Sequence, residues 1–412
     1  MAQEESRRNA LKANLIIVSL APLFLDVGFL SVVISAWLPT VGMTPFEVGI
    51  LITVQGALAV VSSIPLGIMS DVYGRKLILI AGAFAGSFGL MVFALSTDFV
   101  FLLAASAVLG FSEGATVAVW NALLADLTDS STRNRVFSSS YVMISVASGA
   151  GLLLPGFFPY IQTPLALSSY AIHKWVLLIL GLVSFASPLG VTALLWSRKE
   201  THNPGRKFLG LRNMGVLAKL GLVGGAIGFG AGFIIPLMGT WFLLRFNVGD
   251  SYSGPVLAVS SILIGLAAFA SPRLAKRYGQ LNAIMVTTGS SMVFMFSMAF
   301  LPNVNLAAAF YIIRTALMNM ANPLMDSFSM SIFPPEQRGL VSAVTNTIFR
   351  LPNSVSTSFG GLLLGMGLLA QPFIIASALY AGGLAAFFAF FVMNPKYRGA
   401  GLPESAGAET KN

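Results

Sequence analysis

Five ionisable side chains sit inside stretches otherwise apolar enough to cross a membrane: Asp26, Glu113, Arg314, Asp326 and Arg350. Burying such a group in a span costs at least about 2.5–3.5 kcal/mol on insertion scales, so each one asks for a reason. A carboxylate removed from water takes up a proton more readily, and can release it when water returns. Asp26 and Glu113, near the middles of their spans, are therefore candidate proton carriers. Guanidinium pairs well with carboxylate or phosphate, which makes Arg314 and Arg350 candidates for holding an anionic substrate. The plainer alternative is structural pairing between helices, Glu113 with Arg350 or Asp326 with Arg314. Asp326 lies toward the cytoplasmic end of its span and is the candidate gate.

Polar partners follow these charges at helical spacing. Thr315, Asn319, Asn322 and Asp326 form one stripe, and Asn346, Arg350, Asn353 and Thr357 form another. Glu113 shares a face with Thr116 and Trp120, and Gln55 adds a polar group from an earlier span. The candidate substrate cavity is thus drawn from Gln55, Trp120, Arg314, Asn319, Asn322, Arg350 and Asn353. Pro323 is expected to kink its helix and free backbone carbonyls. The methionines around it fit ordinary packing better than a dedicated apolar wall.

The elements that must position these groups are membrane helices. The chain has 412 residues, 56% of them apolar and 9% charged, with a mean hydropathy of +0.82. A soluble domain carries about 25% charged residues. There is no cysteine, which excludes disulfides, thiolate metal sites and thiol catalysis. His173 and His202 are both expected in loops, so neither a histidine metal site nor a catalytic triad is expected. No metal or cofactor is called for, and no G-x-x-x-x-G-K-[ST] loop is present for ATP. Residues 1–13 are polar and the apolar run after them is too long for a signal-peptide core. It is expected to stay as the first span.

Hydropathy gives twelve candidate spans, near 14–38, 47–69, 77–96, 99–125, 136–160, 174–196, 213–244, 251–271, 281–301, 304–332, 340–369 and 371–393. The seventh is long and glycine-rich, and is expected to be tilted, kinked or preceded by a surface helix. With the N-terminus inside, all of the 24 basic residues except Lys174, Arg245, Arg314 and Arg350 fall in cytoplasmic segments. The positive-inside rule then places both termini in the cytoplasm and explains the net charge of +9 without nucleic acid. The polar segment 197–212 reads as a cytoplasmic loop between a first half, 1–196, and a second, 213–412. The halves echo each other. Tyr73-Gly74 follows span two and Tyr278-Gly279 follows span eight, while Arg135 and Arg338 follow spans four and ten at nearly the same offset.

Residues 67–79, GIMSDVYGRKLIL, lie between spans two and three. Positive-inside accounts for Arg75 and Lys76, but not for Asp71, Gly67 or Gly74. The stretch resembles the signature of the major facilitator superfamily, roughly G-x-L-A-D-[RK]-x-G-R-[RK]. It matches at Gly67, Asp71, Gly74, Arg75 and Lys76, and departs at Met69, Ser70 and Val72. Half-repeat and central loop extend the resemblance over the whole chain. It implies an all-α integral membrane fold, twelve transmembrane helices in two pseudo-symmetric six-helix bundles, with spans 1, 4, 7 and 10 lining a central cavity. It also implies a cytoplasmic latch. Asp71 would meet the N-terminus of span 11, Gly67 would allow close helix approach, Gly74 would make a tight turn, and Arg75 would reach Asp126 or Asp129. Lys76, Arg135 and Asp326 complete the latch and gate candidates.

Two motifs of drug:proton antiporters are missing. Ser106 stands where an arginine is common, four residues before Gly110, and span 5 carries Gly149, Gly151, Pro155 and Gly156 in a different spacing. The expectation is a monomeric, multi-pass secondary transporter of the plasma or inner membrane, working by alternating access. It would be proton-coupled and move a small organic solute or amphipath, with export favoured slightly over uptake or exchange of an organic anion on Arg314 and Arg350. A transporter-like sensor or an intramembrane enzyme lacks the soluble domain or catalytic constellation it would need.

Overall fold

The structure is a computed structural model that describes residues 2–129, 132–196, 213–334 and 337–397. The expected central loop, 197–212, lies outside the described residues. Every regular element among the described residues is helical. Ten stretches are long and apolar enough to cross a membrane. Asp250–Tyr278 and Arg338–Gly365, of 29 and 28 residues, are helices at the places expected for spans eight and eleven.

Local sequence explains the breaks. Helices α1 (Ala2–Ser19) and α2 (Ala21–Val32) meet just before Pro22, which has no N–H to continue the ladder. After α2 the chain tightens through a π-turn at Val33–Trp37 and a 3-10 turn at Leu38–Val41. Helix α3 (Pro45–Tyr73) opens with a capping box. Thr44 Oγ1 accepts from the Glu47 N–H at 3.3 Å, and Glu47 Oε2 accepts from the Thr44 N–H at 2.8 Å. Helices α4 (Arg75–Leu95), α5 (Phe99–Asp126) and α6 (Arg133–Leu153) follow, and Asp98 caps α5 through the N–H of Val100 at 2.9 Å. Pro155 and Gly156 then turn the chain into α7 (Phe158–Leu165).

Helices α8 (Ser169–Ser184) and α9 (Ala186–Leu195) complete the sequence to 196. His173 lies in α8, not in a loop as expected. Ser168 caps that helix by accepting from the Ala171 N–H at 3.2 Å, so the polar run SSYAIHK is helix from its start. The long, glycine-rich seventh span is broken, one of the outcomes expected of it, and the break falls at Pro236. Helix α10 (Met214–Gly232) ends before a turn at Ile235–Leu237, and α11 (Met238–Phe246) resumes. Then come α12 (Asp250–Tyr278), α13 (Gln280–Met298), α14 (Val304–Ile332), α15 (Arg338–Gly365) and α16 (Gln371–Phe387).

The chain forms two compact units. The first is Met1–Lys207 with Pro236–Ala258, and the second is Phe208–Ile235 with Val259–Asn412. Segment Pro236–Ala258, which follows the expected division in sequence, therefore groups with the first unit. Within the first unit α2 packs on α6, and α4 on α5; within the second, α10 packs on α15, and α13 on α14. The repeated Tyr-Gly has a backbone counterpart. Gly74 (φ 97°, ψ 145°) and Gly279 (φ 79°, ψ 152°) both turn the chain through conformations that L side chains rarely adopt.

The equivalent crossings are also built alike. A Cβ on Gly151 would strike the carbonyl oxygen of Leu25, and one on Gly232 would strike that of Asn353. Val32, Ala36, Leu152 and Ala258 share one core in the first unit. Phe328, Phe387, Phe391 and Tyr397 interlock edge to face in the second. Exposed Leu15, Ile64, Val146, Leu182 and Ile262 give the units the apolar exterior that hydrocarbon demands.

Candidate functional site

The five intramembrane charges separate into buried and open. Asp26 on α2 is 2% exposed, lies beside Ser184 of α8, and its Oδ2 has no hydrogen-bond partner. Arg314 on α14 is 4% exposed and turned into its own unit. Its Nη2 donates to the Tyr380 hydroxyl of α16 at 2.6 Å, its guanidinium carbon lies 5.6 Å from the ring centroid, and its Nε has no partner. The considered pairing of Arg314 with Asp326 does not form. Both are on α14, roughly 18 Å apart along the axis, so no side chain bridges them.

Asp326 on α14 and Arg350 on α15 are exposed, as is Asn322, while Glu113, Gln55, Asn319 and Asn353 are half-buried. Ionised groups open at mid-helix face water far more cheaply than lipid. Asn322 and Asp326 are open on one side of α14, and Arg350 is open on α15. Asn322 Nδ2 donates to Asn319 Oδ1 at 3.0 Å, and Asn319 Nδ2 donates to the Thr315 carbonyl at 2.8 Å. Asn353 Nδ2 is tied to the Gly228 carbonyl of α10 at 3.1 Å, a helix-to-helix brace. Trp120 is buried and donates its indole N–H to Ser140 Oγ of α6 at 2.9 Å, so its polar edge is already committed. Sequence spacing gave no sign of that bond.

In the signature turn, Arg75 Nη1 donates to the Asp126 carboxylate and, at 3.0 Å, to the Ala122 carbonyl. Asp71 lies 3.9 Å from Arg75 and is half open. Of the two carboxylates that Arg75 was expected to reach, Asp126 takes it. Asp129 Oδ1 instead accepts from the Thr132 N–H at 3.0 Å, leading into α6. Lys76 is half-buried and Arg135 is exposed at the start of α6. Gly67 is not at a tight crossing, since a Cβ there would meet only Ala118 Cβ at 4.0 Å. The close approaches of α3 and α5 are at Gly110, where a Cβ would collide with the Gln55 carbonyl, and at Gly114, where it would meet Ser62 Oγ and the Ala59 carbonyl. The neighbour decides which glycine is needed, and the neighbour is not in the motif.

A sequence profile of the Major Facilitator Superfamily matches residues 16–357. The tetracycline resistance protein, class H, of Pasteurella multocida is 25% identical over 358 residues, covering 81% of this chain and 86% of its own. Among solved structures, a point mutant of the nucleoside transporter NupG aligns at a TM-score of 0.71 and 15% identity, covering 92% of this chain and 100% of its own. A bacterial homologue of the human lysosomal transporter Spinster aligns at 0.71 and 17% identity, covering 94% and 97%. At such identities the structural likeness is one of fold. The profile, which spans most of the sequence, decides the matter: the chain belongs to the Major Facilitator Superfamily, a family of membrane transporters and not of enzymes.

Proposed function

We propose that the protein is a twelve-span, proton-coupled exporter of small organic amphipaths, working by alternating access between two six-helix halves, with both termini cytoplasmic. Asp26 carries the reading. A carboxyl held in an apolar interior with one oxygen unpartnered is cheapest as the neutral acid, and it ionises when water reaches it. A group that changes charge with access is what coupling requires. Half-buried Glu113 is the second candidate. Likeness to a tetracycline resistance protein supports export and an amphipathic cargo. Arg75 with Asp126 and Asp71 supports a cytoplasmic latch.

The test uses purified protein in liposomes with an imposed pH gradient and tetracycline as the first probe. Wild type should accumulate the probe and dissipate the gradient. Asp26→Asn should retain downhill exchange and lose gradient-driven accumulation, and Glu113→Gln should weaken it. Accumulation that survives both changes sinks the coupling assignment. Open Arg350 favours a second reading, in which an organic anion is the cargo. Arg350→Lys would then raise the half-saturation concentration for an anionic probe, and an unchanged value removes that role.

A further inference from the structure

Arg314 is a buried cation without a carboxylate beside it among the described residues. Its contacts with Tyr380, a hydroxyl and a ring, are neutral, and its Nε has no partner. Among the described residues of the second unit the one acidic side chain is that of Asp326, roughly 18 Å away along α14. The first unit treats its buried His173 differently, placing Asp250 Oδ2 2.6 Å from Nε2. A guanidinium cannot shed its charge, and a buried charge is stable only when it is paired.

Hydroxyls around Arg314 are unclaimed as well. A serine or threonine in an apolar helix commonly gives its hydrogen to a carbonyl three or four residues earlier. Thr287 does so to Ala283 at 2.8 Å, and Ser356 to Asn353 at 3.0 Å. Thr315, Ser377 and Ser291 are buried in the same unit, and their hydroxyls have no partner. Thr315 adjoins Arg314 in the chain, with Tyr311 beside it but outside hydrogen-bond geometry. Ser377 lies one turn before Tyr380 on the buried face of α16. Helix α13 runs antiparallel to α14, with Phe294 against Phe310 at 5.0 Å and Gln280 Nε2 2.7 Å from the Leu324 carbonyl, and this register sets Ser291 level with Arg314. Helix α13 packs on both α14 and α16, and those two reach each other by side chains, Arg314 to Tyr380 and Phe328 to Phe387. The four orphaned groups thus belong to three helices at one level of the unit's interior. The orphaned hydroxyls of Ser62 and Ser106 are in the first unit.

All four groups can donate a hydrogen bond, and Nε can only donate. The Tyr380 hydroxyl, accepting from Nη2, keeps a hydrogen of its own to give. Such a set of donors fits an acceptor without hydrogens, and one guanidinium in an apolar interior fits a single negative charge. Water would satisfy the hydroxyls and leave the charge unpaired. An organic anion would need room for its carbon skeleton beside a side chain only 4% exposed, and a spherical ion needs far less. We propose that Arg314, Thr315, Ser377 and Ser291 bind a small monovalent inorganic anion of the halide class, chloride in ordinary salt, which neutralises Arg314 and ties α13, α14 and α16 together. The anion is held inside the second unit, apart from the open groups Asn322, Asp326 and Arg350, and is not the cargo. The site does not depend on whether protons drive transport.

The test uses full-length protein purified in detergent with gluconate, a bulky anion, and titrated with chloride at constant ionic strength. The unfolding midpoint should rise saturably, by about 2–4 °C at roughly ten times the dissociation constant. Crystals grown with bromide should show an anomalous peak beside Arg314 Nε. In Ser377→Asp the chain supplies the negative charge itself. Its midpoint in gluconate should reach the parent's in chloride, and added chloride should change nothing. Ser377→Asn, similar in size and neutral, should show no such gain in gluconate. Ser377→Ala should weaken chloride roughly tenfold, the loss of one hydrogen bond to a charged group. A parent midpoint equal in chloride and gluconate, bromide absent from beside Arg314, or Ser377→Asp that still answers to chloride would each overturn the site. If Ser377→Asp does not fold, Ser377→Ala decides, and undiminished chloride affinity there removes the site. None of these readouts involves transport, so failure of the proton-coupling assignment and failure of this one are told apart.

Discussion

Asp26 and Arg314 are almost equally buried, each in the interior of its own unit, yet their surroundings differ. Arg314 has an aromatic face and a hydroxyl from Tyr380, while Asp26 has Ser184 and an oxygen with nothing to bind. The difference follows from chemistry. Guanidinium stays charged at any pH a protein meets, so its site must supply partners permanently. A carboxyl can shed its charge by taking a proton, so its site can be bare. A buried charge that cannot be shed needs its partners, and a carboxyl that can take up a proton can do without them.

That contrast can be broken by stripping partners and measuring unfolding of the purified protein in detergent. Tyr380→Leu takes from the buried cation the ring and hydroxyl of Tyr380 and should cost about 3–5 kcal/mol, the penalty for breaking up a buried charge's surroundings. Tyr380→Phe keeps the ring and loses only the acceptor, which should cost about 1.5–3 kcal/mol. Ser184→Ala on the Asp26 side should cost about 1 kcal/mol or less, because the acid needs no partner while protonated. Equal losses for Ser184→Ala and Tyr380→Leu would show that Asp26 is held as an ion, and the distinction would fall.

The sequence showed where charge enters the membrane, because hydrocarbon makes such residues conspicuous. It did not show which way they point. Arg314 was placed in a substrate cavity beside Arg350, but orientation on a helix depends on the neighbour, and Tyr380 lies far along the chain. Trp120 and Asn353 are likewise turned by Ser140 and the Gly228 carbonyl. The break in the seventh span was legible from its length and its glycines, whose effect is local. His173 was misplaced in a loop because its helix begins among polar residues, and its partner Asp250 is brought to it only by folding. The Arg75–Asp126 contact was legible because both ends follow from short motifs at the ends of neighbouring spans.

The glycines at the α2–α6 and α10–α15 crossings have a hereditary consequence. Every missense change of a glycine codon adds at least a Cβ. At Gly151 and Gly232 that atom would land on a main-chain carbonyl, which no rotamer change can move aside. Relief would need the opposite helix to shift as a whole, because the obstacle is backbone. These crossings are where a lineage carrying this fold has least freedom to drift, whatever cargo its open face comes to accept.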